Sequence, residues 1–66
     1  MFDIAEFRAA LARKGMTRKE LAEMLGINEV TLYRKLKRDG DFTREEINTM
    51  IEGLDIEDPG KIFFAS

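Results

Sequence analysis

What chemistry this 66-residue chain offers is concentrated between Arg18 and Arg38. Arg18, Lys19, Arg34, Lys35, Lys37 and Arg38 supply guanidinium and ammonium groups, with Glu29, Val30, Thr31 and Tyr33 set among them. An arginine can donate two parallel hydrogen bonds to O6 and N7 of guanine. A glutamate can accept from N4 of cytosine, and a valine can touch the methyl group of thymine. Further basic side chains neutralise phosphates, which adds affinity without sequence information. This is the chemistry of recognising double-stranded nucleic acid. Bond-breaking chemistry is poorly served. The chain has no histidine and no cysteine, which removes the commonest general base and metal ligand and every thiolate site. Glu45 and Glu46 are adjacent, but neighbours on a helix point about 100° apart and need not share a site. No nucleophile–base pair or phosphate-cradling loop appears, so no enzyme activity, catalytic residue, cofactor or metal is expected.

The net charge of −2 conceals a segregation that matters more than the total. Residues 8–38 hold nine Lys/Arg against Glu20, Glu23 and Glu29. Residues 39–66 hold only Arg44 and Lys61 against eight acids, and residues 1–7 add Asp3 and Glu6. A nucleic acid responds to the field of the face it meets, and the basic block coincides with the candidate side chains. A solvated helix face would show the same block, so charge alone does not decide. No apolar run is long enough to span a membrane and no signal-peptide pattern opens the chain. A cytoplasmic, nucleoid-associated location is the expectation.

Short helices must hold those side chains, and the chain marks where they start. An apolar residue, a cap residue, two others, a polar residue and an apolar residue recur as Phe2-Asp3…Glu6-Phe7, Met16-Thr17…Glu20-Leu21, Ile27-Asn28…Thr31-Leu32 and Phe42-Thr43…Glu46-Ile47. The cap side chain accepts from an unpaired N–H of the first turn, at about 1 kcal/mol each. Glu6, Glu20 and Glu46 are placed to complete capping boxes, and the apolar pairs form hydrophobic staples. Gly15 and Gly26 suit left-handed C-terminal caps. Asp58-Pro59 reads as a fifth cap and first helical position. Helices are thus predicted over about 4–14, 18–25, 29–37, 44–54 and 59–64, with a loop at Arg38–Asp41 and no strand. The apolar spacing predicts a core of Ile4, Phe7, Leu11, Leu21, Ala22, Leu25, Leu32, Leu36, Ile47, Met50, Ile51 and Leu54. Ile27, Phe42, Ile56, Ile62 and Phe63 close its sides.

At about 100° per residue, Leu32 and Leu36 define the buried side of the third helix and Arg34 points the opposite way. Arg34 is therefore the leading candidate for reading a base. Val30, Thr31, Lys37 and Arg38 flank it. Val30 suits a thymine methyl, although isolated exposed apolar residues are common. Glu29 at the helix tip suits cytosine N4, and equally suits the helix dipole. Thr31 either reaches a base or completes the cap with Asn28. Lys35, Lys37 and Arg38 suit phosphates, or the dipole at a helix C-terminus. Arg18 and Lys19 stand in the first turn of the second helix, where positive charge opposes the dipole, and an arriving phosphate would satisfy both. Tyr33 can offer its hydroxyl to a phosphate or pack half-buried.

The run Thr17-x-x-Glu20-Leu21-Ala22-x-x-Leu25-Gly26-Ile27-Asn28-x-x-Thr31-Leu32-Tyr33-Arg34 resembles the Cro/C1-type helix-turn-helix of phage repressors and related bacterial regulators. Thr31–Lys37 with Asp41-Phe42-Thr43, and the ending Lys61-Ile62-Phe63-Phe64, resemble small phage-encoded members. The resemblance implies an all-α, five-helix, lambda-repressor-like DNA-binding domain spanning 1–66, with the helix-turn-helix at the second and third helices. It places base contacts on Glu29, Val30 and Arg34, with Thr31 a further candidate. It places phosphate contacts on Arg18, Tyr33 and the loop after the third helix. It implies a transcriptional regulator, a phage or prophage repressor, that reads a double-stranded operator as a symmetric homodimer. The tail Ile62, Phe63 and Phe64 is a candidate for part of the dimer contact; the alternative is that Ile62 and Phe63 close the core. The competing function is a protein-interaction module that keeps the fold without binding DNA.

Overall fold

Bonds between cap side chains and the backbone start the first four helices. The computed structural model describes residues 1–65, in which α1 spans Ile4–Lys14, α2 Arg18–Leu25, α3 Glu29–Lys37, α4 Arg44–Gly53 and α5 Pro59–Phe63. The side chains of Asp3, Thr17, Asn28 and Thr43 each accept from the backbone N–H three residues on, at 2.7–3.1 Å. No strand occurs among the described residues. Helices α4 and α5 each stop one residue earlier than the spacing predicts, because Leu54 and Phe64 serve as C-caps.

Two capping boxes close, at Thr17/Glu20 and Thr43/Glu46. The box expected at Asp3/Glu6 does not. The Asp3 N–H that Glu6 would bind already donates to the carbonyl of Ile62 at 2.7 Å, and the Glu6 carboxylate lies 3.8 Å from Lys61 Nζ instead. The side-chain cap expected of Asp58 is also absent; its carbonyl accepts from the Lys61 N–H. Among the ends, Gly15 and Gly26 adopt φ of 66° and 73°. Around Gly26 the Ile27 N–H reaches the Ala22 carbonyl and the Gly26 N–H reaches Glu23, which is the Schellman arrangement that turns α2 sharply into α3. Helix α4 ends in the same pattern with Asp55 in the left-handed position, φ 51°.

Helix α2 packs against both α3 and α4, and α1 packs against α5. Between them lie Phe7, Leu11, Leu21, Ala22, Leu32, Leu36, Met50, Leu54, Ile56, Ile62 and Phe63, all buried. Ile4, Leu25, Ile27, Phe42, Ile47 and Ile51 are partly buried against this cluster. Burial of Ile62 and Phe63 removes them from the candidate dimer surface, since the core needs both to cover α1. Only Phe64 of that trio stays exposed, at 70%.

Two core members lie outside the spacing argument, Ala10 and Phe2. Phe2 precedes the first helix, yet its ring stands 5.6–5.9 Å from those of Phe7, Phe42 and Phe63. Its N–H donates to Asp39 Oδ1 at 3.0 Å. Gly40, at φ 69°, lies under the same ring, where any Cβ would collide with it. The first residues of the chain are thereby bolted to the loop that follows α3.

The box at Thr43 couples α4 to α3. Glu46 Oε1 accepts from the Thr43 N–H at 2.9 Å and lies 3.1 Å from Lys35 Nζ. Partial burial raises the Glu46 pKa, but the Thr43 N–H and the Lys35 ammonium together outweigh it and hold the carboxyl below its ordinary value. A depressed folded-state pKa gives stability that is present above the unfolded-state value and lost as pH falls through the folded-state value. Thermal melts between pH 6 and pH 3 should therefore show an acid loss of stability that is shallower in Glu46→Gln. An equally steep loss in that variant would remove Glu46 as its source.

Candidate nucleic-acid interface

Two leucines orient α3. Leu32 and Leu36 point inward and are nearly fully buried, which leaves Val30, Arg34, Lys37 and Arg38 exposed on the other side, Tyr33 exposed at its edge and Glu29 exposed at the N-terminal tip. Val30 is 68% exposed, a large apolar side chain on a face that is otherwise polar or aromatic. Thr31 is half-buried and its backbone N–H closes the Asn28 cap at 2.7 Å. The Gly26 turn and the small side chain of Ala22, buried at the contact, hold α2 against α3, so this face stands clear of the rest of the fold.

The basic side chains divide by what surrounds them. Lys35, a candidate for phosphate, is half-buried, bonds the Asp41 carbonyl at 3.3 Å and pairs with Glu46. The fold occupies its ammonium group, because the loop carbonyl and the capping carboxylate converge on it, and Lys35 leaves the phosphate set. Lys14 pairs with Asp55, and Lys61 with Glu6. Among the described residues, Arg18, Lys19, Arg34, Lys37 and Arg38 take part in no ion pair. Lys37 Nζ lies 5.2 Å from the centre of the Tyr33 ring, a cation–π contact that steadies both side chains on the exposed face.

Arg18 stands at the first position of α2, where the helix dipole is positive. Its neighbour in space was not singled out from the sequence. Arg8 of α1 joins Arg18, Tyr33 and Lys37 around a cleft of about 210 Å³ that Ile4 and Leu36 also line. The signal was present in the spacing: Arg8 follows Ile4 by four residues and falls on the same side of α1. Its position beside α3 depends on the packing of three helices, which spacing does not give.

On the side of α1 that faces α5, Glu6, Asp55, Glu57 and Asp58 meet Arg13 and Lys61 around a second cleft of about 400 Å³. Acids are there accompanied by cations, unlike the first cleft. No group of side chains among the described residues is arranged to hold a metal ion, and no helix there is long and apolar enough to cross a membrane.

The outward face of α3, carrying an unpaired arginine and an exposed valine, with a carboxylate at the helix tip, can form directional hydrogen bonds and methyl contacts within a groove wide enough for a helix. The exposed cations beside it can neutralise flanking phosphates. No curated protein and no solved structure matches the chain. A family model described as "Bacterial regulatory protein, Fis family" matches residues 5–38, the stretch from α1 through the C-cap of α3, just over half of the sequence. The match contains both helices of the helix-turn-helix and ends at the loop that Phe2 and Asp39 hold in place. The chain belongs to the bacterial regulatory proteins of the Fis family, a family of helix-turn-helix DNA-binding regulators.

Proposed function

We propose that this chain is a sequence-specific transcriptional regulator, a phage or prophage repressor of Cro/C1-like character, that reads the DNA major groove with α3. The observation that carries this is the exposed, unpaired face of α3 opposite Leu32 and Leu36. Arg34 pairs with guanine, Glu29 accepts from cytosine N4, and Val30 covers a thymine methyl. Thr31 reaches a base only with its side chain, since its N–H is committed to the cap. Arg18, Lys19, Tyr33, Lys37 and Arg38 contact phosphates. The domain spans the whole of 1–66 and acts without a cofactor in the bacterial cytoplasm.

In this reading two copies bind one operator. Phe64 and Met1 are the two largest exposed apolar side chains outside α3, at 70% and 78%. The Asp3–Ile62 bond brings the two chain ends together, so these residues form the contact between copies. The acidic side around Glu57 and Asp58 favours the second reading, a module that binds a basic protein partner.

Selection from a randomised duplex pool at low salt, with sequencing of the retained DNA, separates the two. Enrichment of a two-fold symmetric site is expected, and its half-site spacing gives the dimer geometry. No enrichment, with negligible binding to the starting pool, would transfer the assignment to the protein-interaction module.

A further inference from the structure

The cleft between α1, α2 and α3 holds three cations from three helices, Arg8, Arg18 and Lys37, and none has an ion-pair partner among the described residues. Cationic side chains that line one concavity without acidic partners draw an anion toward it. The contrast with the cleft beside α5 is direct, because there the acids are accompanied by Arg13 and Lys61. Ile4, Leu36 and Tyr33 complete the lining of the cleft between α1 and α3. Apolar lining of this kind lowers the local dielectric and strengthens the attraction between a bound anion and nearby cations.

We propose that this cleft is a phosphate-binding site in which Arg8, Arg18 and Lys37 hold one phosphate group and Tyr33 donates its hydroxyl to it. Two guanidiniums and an ammonium suit the tetrahedral oxygens of a phosphate, with arginine supplying paired donors and lysine a point charge. The Lys37 ammonium, already over the Tyr33 ring, lies beside the phenol that completes the set. A volume of about 210 Å³ admits a phosphate with its ester linkages. Arg8 is the new member: α1 becomes part of the binding surface rather than only a support for it.

The phosphate has two sources of one chemistry, the backbone of bound DNA and a free phosphate or phosphomonoester. The first rests on the DNA-binding reading and the second does not. One experiment has two arms. In the first, DNA affinity is measured against salt for the wild type, Arg8→Gln, Arg8→Lys and Arg13→Gln. Arg13 is the control because it is exposed on α1 and lines the other cleft. Arg8→Gln is expected to reduce the slope of log K against log salt by about one, so its deficit narrows about fourfold between about 50 and 200 mM salt. Arg8→Lys keeps the slope, and so does Arg13→Gln. In the second arm, inorganic phosphate is titrated at constant ionic strength while the resonances of residues 8, 18, 33 and 37 are followed. Saturable shifts that vanish in Arg8→Gln identify a free-anion site, and they support the proposal even if the wild type binds no DNA. A wild type that binds DNA, an Arg8→Gln slope equal to it, and no phosphate-dependent shift would overturn the site while leaving the DNA reading intact. No DNA binding and no shift would overturn both.

Discussion

Phe2→Ala is expected to cost about 3–5 kcal/mol of unfolding free energy, the range for deleting a buried phenylalanine. A chain of this length has roughly 3–10 kcal/mol in total, so the variant should lose between about a third and all of its stability. Residues this near a terminus ordinarily fray and tolerate change. Here the Phe2 ring is buried, touches Phe7, Phe42 and Phe63, and is backed by Gly40. Its removal leaves a cavity bordered by α1, α5 and the loop after α3, elements that are joined to one another partly through it. Urea denaturation followed by circular dichroism gives the number. A loss below about 1 kcal/mol would mean that the ring contributes no more than an ordinary surface side chain.

Arg34→Ala is expected to abolish discrimination at one base pair of each half-site, about 1–3 kcal/mol or roughly 5- to 150-fold in relative affinity. Arg34 is exposed and takes part in no ion pair among the described residues, so the fold should be untouched. Binding to unrelated duplex should fall much less, because phosphate contacts supply most of that affinity. Competition between the selected site and variants changed at each position reads this out. An unaltered preference at every position would remove α3 as the reading helix.

Legibility in the sequence follows the range over which each interaction acts. The caps at Asp3, Thr17, Asn28 and Thr43 span three residues, so residue type and spacing suffice to place four helix starts. The direction in which Arg34 and Val30 face follows equally from the Leu32–Leu36 period. What spacing does not contain is competition from distant partners. Glu6 has the position of a capping-box glutamate, but the N–H it needs is taken by Ile62 and its carboxylate by Lys61. Lys35 has the position of a phosphate ligand, but Glu46 and the Asp41 carbonyl reach it first. Arg8 joins the basic cleft, and Phe2 the core, only once helices far apart in the sequence have packed. Asp55 ends α4 in a left-handed conformation without the glycine that marked the corresponding turns at Gly15 and Gly26.

The short reach of the caps also bears on how quickly the chain finds its structure. A bond that closes within three residues forms on the time scale of helix growth, well before distant parts of the chain meet. With most helix starts fixed in this way, the search is left with docking preformed segments, and proteins dominated by near-neighbour contacts fold in microseconds to milliseconds. The tie between Phe2 and Asp39 spans 37 positions and carries a loop-closure cost that the three-residue caps do not. It belongs late on the folding path, after α3 has acquired its shape, and the first residues of the chain are then among the last to settle.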